Sequence, residues 1–216
     1  MLLLVGLGNP GKEHANNRHN VGFMAVDAIA ERYSFTKPKK RFSGTTSRGS
    51  INDIPIIALK PLTSMNCSGL SVHKALSYYG LSVTDLIVFH DELDLKLTRI
   101  RVKRGGGNAG HNGLRDIDRH LSTNYRRVRI GIDHPGNREN VIRYVLRVFP
   151  KPDRKSLDVL LLAIAEATPL LVSNNDSDFM NKVALSQNSD PPSHPAQPNN
   201  LTPRNNKLPQ EVAIEE

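Results

Sequence analysis

The strongest constraint on the fold of this chain is an alternation of two hydrophobic periods along most of its length. Short runs with strand character occupy residues 2–6, 54–60, 86–90, 98–103 and 127–132, each bounded by Gly, Pro, Asn or Asp. Between them, residues 21–33, 69–79, 114–121, 141–149 and 156–172 repeat apolar side chains at helical spacing. Strands alternating with helices predict an α/β layer fold, and a length of 216 residues suits one domain better than two.

From Ser186 onward the composition shifts to Ser, Gln, Asn, Asp and Pro, including Pro191, Pro192, Pro195 and Pro198. Such a segment cannot bury enough surface to offset its chain entropy, so the expected organisation is a domain over 1–186 and a disordered Pro/Asn/Ser-rich tail over 187–216. No run approaches the roughly 18–20 apolar residues that a membrane crossing needs. The apolar start, Met1 to Val5, leads into Gly-Leu-Gly-Asn-Pro-Gly and reads as a buried strand, not a signal peptide. With a single cysteine, Cys67, no internal disulfide framework is possible; a reducing, cytoplasmic compartment and a monomer without membrane association are expected. The net charge of +8 favours polyanionic partners.

Gly6, Gly8 and Gly11 have the G-x-G-x-x-G spacing of a dinucleotide-binding turn. That turn opens directly into a helix, whereas here Pro10 is followed by the polar stretch from Lys12 to Arg18, and the helical pattern begins only near Val21. The nearest acidic residue at the right distance, Asp27, falls inside that helix. A nucleotide cofactor is therefore not expected. The glycines still matter, because they place Asn9 at the carboxyl end of a strand, where open α/β sheets bind ligands.

Polar segments recur at such positions: Asn9, then Arg18-His19-Asn20, Met65 to Gly69, His90 to Asp94, and Gly105 to Leu114. They supply a histidine, a carboxylate and carboxamides, a set suited to hydrolysis of an activated carbonyl by water. Each has a plainer use, since Asn66 or Ser68 can cap a helix and Asp91 or Asp94 can shape a turn. Sequence distance does not show whether His19 and Asp91 meet.

In this order, the blocks GLGNPG, RHNVGF, MNCSG, HDELDL and GGGNAGHNGL resemble the bacterial-type peptidyl-tRNA hydrolase family, with RIGIDHPG and YVLRVF extending the likeness over about residues 2–180. The resemblance implies a single α/β domain with a twisted mixed β-sheet flanked by helices. It implies an esterase that splits peptide from tRNA, with His19 as catalytic base and Asp91 as its partner. Asn9, Asn66 and Asn112 match substrate-binding asparagines, Lys103 and Arg129 the pair that holds tRNA phosphate, and residues 137–149 a lid beside the cleft. His14 stands at a substrate-binding position where the family usually has Tyr, Asn17 where it has Thr, Ser64 where it has an aromatic residue, and Asp133 where glycine is common. No metal and no cofactor are implied.

Arg99, Arg101 and Lys103 alternate along one expected strand and Arg127 and Arg129 along another, so each row shares a face and can follow a phosphate backbone. Lys37, Lys39, Lys40 and Arg41 read mainly as a solvated loop. Cys67 reads as a small buried residue, although it also offers a thiol nucleophile; His90, Asp91, Glu92 and Asp94 are metal-capable on paper but alternate faces along a strand. An RNA-binding scaffold without activity is the non-enzymatic alternative, and retention of His19 and Asp91 argues against it.

Overall fold

The computed structural model describes residues 1–187, so the expected tail lies outside the described residues apart from Gln187. Seven strands form one mixed sheet: β1 (Leu2–Gly6), β2 (Lys39–Arg41), β3 (Gly44–Ile51), β4 (Ile54–Pro61), β5 (Leu86–Glu92), β6 (Ile100–Arg104) and β7 (Arg126–Gly131). Their order is β2-β3-β4-β1-β5-β7-β6. The inner strands β4, β1, β5 and β7 are parallel, and both margins are antiparallel. The unbroken apolar run of β1 suits its central place, since a parallel strand is covered on both faces.

The helices are α1 (Val21–Arg32), α2 (Ser68–Tyr79), α3 (Asn112–His120), α4 (Val141–Val145), α5 (Lys151–Val172) and α6 (Asp176–Ser186). One core layer joins Leu4, Ile87 and Phe89 to Val26 and Ile29 of α1, Leu160 and Ile164 of α5 and Phe179 of α6. On the opposite face, Leu3, Val5, Leu86 and Val88 meet Val72 and Leu76 of α2 and Leu114 and Ile117 of α3. The result is the expected α/β domain with helices on both faces. No described helix is long and apolar enough to cross a membrane.

One close approach sets the geometry of the site. A Cβ on Gly22 would lie 2.2 Å from the carbonyl oxygen of Phe89, and one on Gly6 would lie 2.3 Å from that of Gly22. The start of α1 therefore sits directly on the carboxyl ends of β1 and β5, and the 3-10 turn Arg18–Asn20 before it is held over the end of β5.

Three sequence readings need correction. Lys39–Arg41 is the edge strand β2, paired with β3, not a loop; an edge strand needs a partner on one side only and keeps its side chains in water, so cationic residues hide it. Arg99 lies outside the expected row, because Thr98 adopts φ 63° and β6 starts only at Ile100. Cys67 is exposed, since it ends the 3-10 turn Met65–Cys67 on the outer side of the α2 start.

Candidate active site

The carboxyl ends of β1, β4 and β5 converge on one cleft of about 750 Å³, lined by Asn9, His19, Met65, Asp91, His111 and Asn112 among others. Asp91 is 5% exposed near the end of β5. The ring of His19 reaches it from the turn before α1, with Nδ1 2.8 Å from Oδ1 and 3.0 Å from Oδ2. The two residues that sequence distance left unconnected thus form a direct pair.

A second imidazole shares this carboxylate. Nε2 of His111 lies 3.0 Å from Asp91 Oδ1. His111 is also the N-cap of α3, where its Nδ1 accepts from the backbone N–H groups of Gly113 and Leu114. A nitrogen that accepts two N–H groups carries no proton, so in the neutral ring the proton of His111 sits on Nε2 and is donated to Asp91. Asp91 in turn accepts Nδ1–H of His19, which leaves Nε2 of His19 as the free basic nitrogen of that ring. His111 stands inside the GGGNAGHNGL block, but only its contact with Asp91 distinguishes it from a helix cap.

The electrostatics follow from this arrangement. Burial, the largest influence on His19, opposes its protonation, yet the charge of Asp91 and its hydrogen bond outweigh burial and raise the imidazole above its usual 6.5. Burial likewise pushes the Asp91 carboxyl upward, but His19 and His111 hold it well below its usual 3.8. His90, buried with Nδ1 donating to the Asp91 carbonyl, is lowered to about 3 by burial and by His111. His19, Asp91 and His111 offer donor atoms within 4.8 Å of one another, a spacing metal ligands also have. The protonated Nε2 of His111 makes the set a hydrogen-bonded triad, and ligation would first have to break the Asp91 contacts.

Asn9 is fixed from three directions. Its backbone N–H donates to Asn20 Oδ1, its carbonyl accepts from Asn20 Nδ2, and its Oδ1 accepts from the Met65 backbone N–H. The side-chain NH2 of Asn9 remains free to donate at the cleft, and buried Asn20 acts as its clamp. Asn66 lines an adjoining cavity of about 410 Å³ with Asn9, Ser64, Asn112, Arg115 and Arg119. The three candidate asparagines are therefore neighbours around one opening.

Lys103 and Arg129 line a further cavity of about 300 Å³ with His90, Glu92 and Arg127. Strand alternation explains the grouping, because the pairs His90↔Arg129 and Lys103↔Arg127 put these side chains on one face of β5, β7 and β6. Arg129 spends Nε on Glu92 at 2.8 Å and keeps its terminal nitrogens. Arg127 is committed inside the protein, to Gly107 and Asp118, so it does not extend a solvent-facing row.

His14 lines none of these three cavities. Its Nδ1 accepts from the Asn17 side chain at 3.1 Å, so two positions that depart from the family pattern satisfy each other. Asp133, at φ 63°, occupies backbone space that glycine enters without strain. Arg18 was not expected to matter. It is buried beside His19 and donates to the carbonyl oxygens of Val148 and Arg147, with its guanidinium 4.3 Å from the Tyr144 ring centroid and 5.1 Å from that of Phe149. It thereby ties the segment carrying Val141, Ile142, Val145 and Leu146, which line the main cleft, to the turn that carries His19.

The family model described as peptidyl-tRNA hydrolase matches residues 3–191. A peptidyl-tRNA hydrolase of Parvibaculum lavamentivorans is 50% identical over 196 residues, 90% of this chain and 96% of that protein. That of Acidiphilium cryptum is 54% identical over 186 residues, 86% of this chain and 97% of the other. The crystal structure of peptidyl-tRNA hydrolase from Acinetobacter baumannii, 40% identical, superposes with a TM-score of 0.80 and covers 85% of this chain and 94% of that one. By family match, sequence identity and fold together, the chain belongs to the peptidyl-tRNA hydrolase family.

Proposed function

We propose that this hydrolase splits the ester of peptidyl-tRNA through a water molecule activated by His19. The observation that carries the reading is the His19–Asp91 pair, which leaves a raised-pKa imidazole with Nε2 free at a cleft bordered by carboxamides. His19 takes a proton from water as the oxygen attacks the ester carbonyl, and Asp91 stabilises the resulting imidazolium. Side-chain N–H groups of Asn9 or Asn66 hydrogen-bond the developing oxyanion or the peptide backbone, and Asn112 holds the substrate beside them. As the tetrahedral intermediate collapses, the imidazolium returns its proton to the departing ribose oxygen. Peptide acid and free tRNA result, with no covalent enzyme intermediate.

Lys103 and the unused nitrogens of Arg129 bind phosphate of the tRNA, so the substrate must offer a peptide amide and an RNA end together. An enzyme acting on this substrate works in the cytoplasm, where the tRNA is charged. The thiol alternative finds little support in the geometry, because Cys67 lines none of the three cavities. Turnover of N-acetyl-aminoacyl-tRNA tests the proposal: the natural chain and Cys67→Ala should release the amino acid at similar rates, whereas His19→Ala should lose nearly all activity. Full activity of His19→Ala would sink it.

A further inference from the structure

The cavity beside Asn66 is bordered on its outer side by Arg115 and Arg119, one turn apart on α3. From there the outer face of α2 carries Lys74 and Tyr78 away from the cleft. The turn between β2 and β3 is fastened to this helix: Ser71 Oγ donates to the Phe42 carbonyl at 2.6 Å, and Lys74 Nζ donates to Ser43 Oγ at 3.2 Å. At the far end the Arg41 guanidinium lies 4.0 Å from the Tyr78 ring centroid and 4.9 Å from that of Phe42. Phe42, Tyr78 and Tyr79 contact one another at 4.9 to 5.7 Å between centroids. Tyr78 is nevertheless 58% exposed.

The exposed charge along this line is of one sign. Among the described residues, no carboxylate pairs with Lys39, Arg41, Lys74, Arg115 or Arg119, whereas Lys60, Arg129 and Arg154 elsewhere each have one. Lys39 and Arg41 sit two residues apart on β2 and so share a face. One acid, Asp116, lines the same cavity as Arg115 and Arg119, but it is buried and accepts from the Gly69 backbone N–H. The strip begins at the candidate substrate cleft and, along the twelve residues of α2, runs about 16 Å from it.

We propose that this strip is a second RNA-binding track, separate from Lys103 and Arg129, in which Arg119, Lys74 and Lys39 follow phosphates and an unpaired base stacks on the Arg41–Tyr78 pair. Unpaired cations in a row release counterions on meeting a phosphate backbone, and arginine planes and aromatic rings accept any base by stacking. A protein-binding hot spot would instead need an apolar pocket enclosing the aromatic anchor, and here Tyr78 stands open to solvent with the Arg41 guanidinium lying over its ring. The track requires no part of the ester-cutting mechanism, so binding alone tests it.

The measurement is the affinity of the full chain for two probes, uncharged tRNA and a short single-stranded oligoribonucleotide, over a range of salt. Lys39→Glu combined with Arg41→Glu should weaken binding at least about tenfold and reduce the salt slope by about two. Tyr78→Ser should weaken it about tenfold while Tyr78→Phe keeps the natural affinity, because stacking needs the ring and not the hydroxyl. Loss with tRNA alone assigns the track to the folded acceptor arm, and loss with both probes assigns it to unpaired RNA. Hydrolysis of a short N-blocked aminoacyl ester should stay at the natural rate in every variant, which shows that fold and cleft are intact. Unchanged RNA affinity in the charge-reversal and Tyr78→Ser variants overturns the proposal, as does a strip that captures polyglutamate but no RNA.

Discussion

His19 and His111 meet at one carboxylate oxygen: Nδ1 of the first and Nε2 of the second lie 2.8 and 3.0 Å from Asp91 Oδ1. Their ring centroids are 4.9 Å apart. Two imidazole N–H groups donating to one anion hold it ionised, and the anion fixes which nitrogen of each ring donates.

The first prediction concerns pH. In the proposed mechanism only neutral His19 accepts a proton from water, and its pKa is raised above 6.5, so the rate should climb tenfold per unit through the mildly acidic range and level off above that raised pKa. Asp91→Asn removes both influences that raise the pKa while burial, which lowers it, remains. The acidic limb should therefore move below 6.5. The amide also no longer requires the proton on Nδ1, so the rate should fall by about 10²–10⁴-fold. A pH–rate profile of the variant whose limb stays in place would contradict the assigned coupling.

The second prediction separates the two tasks of His111. Its Nδ1 caps α3, and loss of an N-cap acceptor costs about 1 kcal/mol. His111→Ala should lower the melting temperature by about 2–4 °C, as expected for a domain of this size. His111→Asn restores a capping oxygen and should recover most of that loss while still lacking the bond to Asp91. If both variants melt alike, the cap is not what His111 contributes.

Acid stability gives the third. The folded-state pKa of His90 is depressed to about 3 against an ordinary 6.5, so the unfolded chain binds a proton that the folded one refuses. Stability is then present above 6.5 and lost as pH falls toward 3, by roughly 3 to 5 kcal/mol at full extent. Asp91 has the same sign at lower pH, losing its contribution below the usual 3.8. His19 has the opposite sign, its contribution being complete below 6.5 and lost as pH rises through its raised pKa. Urea unfolding at a series of pH values should show His90→Asn with a much flatter decline between 6.5 and 3.

The fourth tests the division of labour at the RNA end. Lys103 has no ion-pair partner among the described residues, so Lys103→Ala should weaken turnover of tRNA-linked substrates and lower the salt slope by about one. Short N-blocked esters, which lack the phosphate, should be cut at the natural rate. Equal loss on both would show that Lys103 acts on the chemistry and not on the nucleic acid.

The layers of this fold were legible because β1, β4, β5 and their helices bury continuous or periodic apolar faces. β2 and β3 were not, since Lys39–Arg41 and Gly44–Ile51 hold a sheet margin with few apolar side chains. At the site, the ordered polar blocks pointed to His19 and Asp91, but the contact depends on Gly6 and Gly22 permitting α1 to sit on the strand ends, which no pairwise spacing states. His111 and Arg18 stand in those polar blocks without an assigned role for a related reason. Their partners, Asp91 and the carbonyl oxygens of Arg147 and Val148, lie far away in sequence.

Arg18 supports the last prediction. It joins the His19 turn to the 141–149 segment through charged hydrogen bonds and two aromatic faces, interactions of roughly 1.5–3 and 0.5–2 kcal/mol respectively. Lys at this position keeps the charge but not the planar fork that donates to Val148 while lying against Tyr144. Amides of 141–149 should therefore exchange with deuterium at least tenfold faster in Arg18→Lys, with α5 and the sheet unchanged. Because Ile142 and Leu146 line the cleft from that segment, KM for substrates bearing several peptide residues should rise more than KM for those bearing one. Since the Asp91 contact of His19 is left in place, the acidic limb of the rate should not move. Faster exchange throughout the protein would instead mark Arg18 as a general stabilising residue with no special hold on the cleft wall.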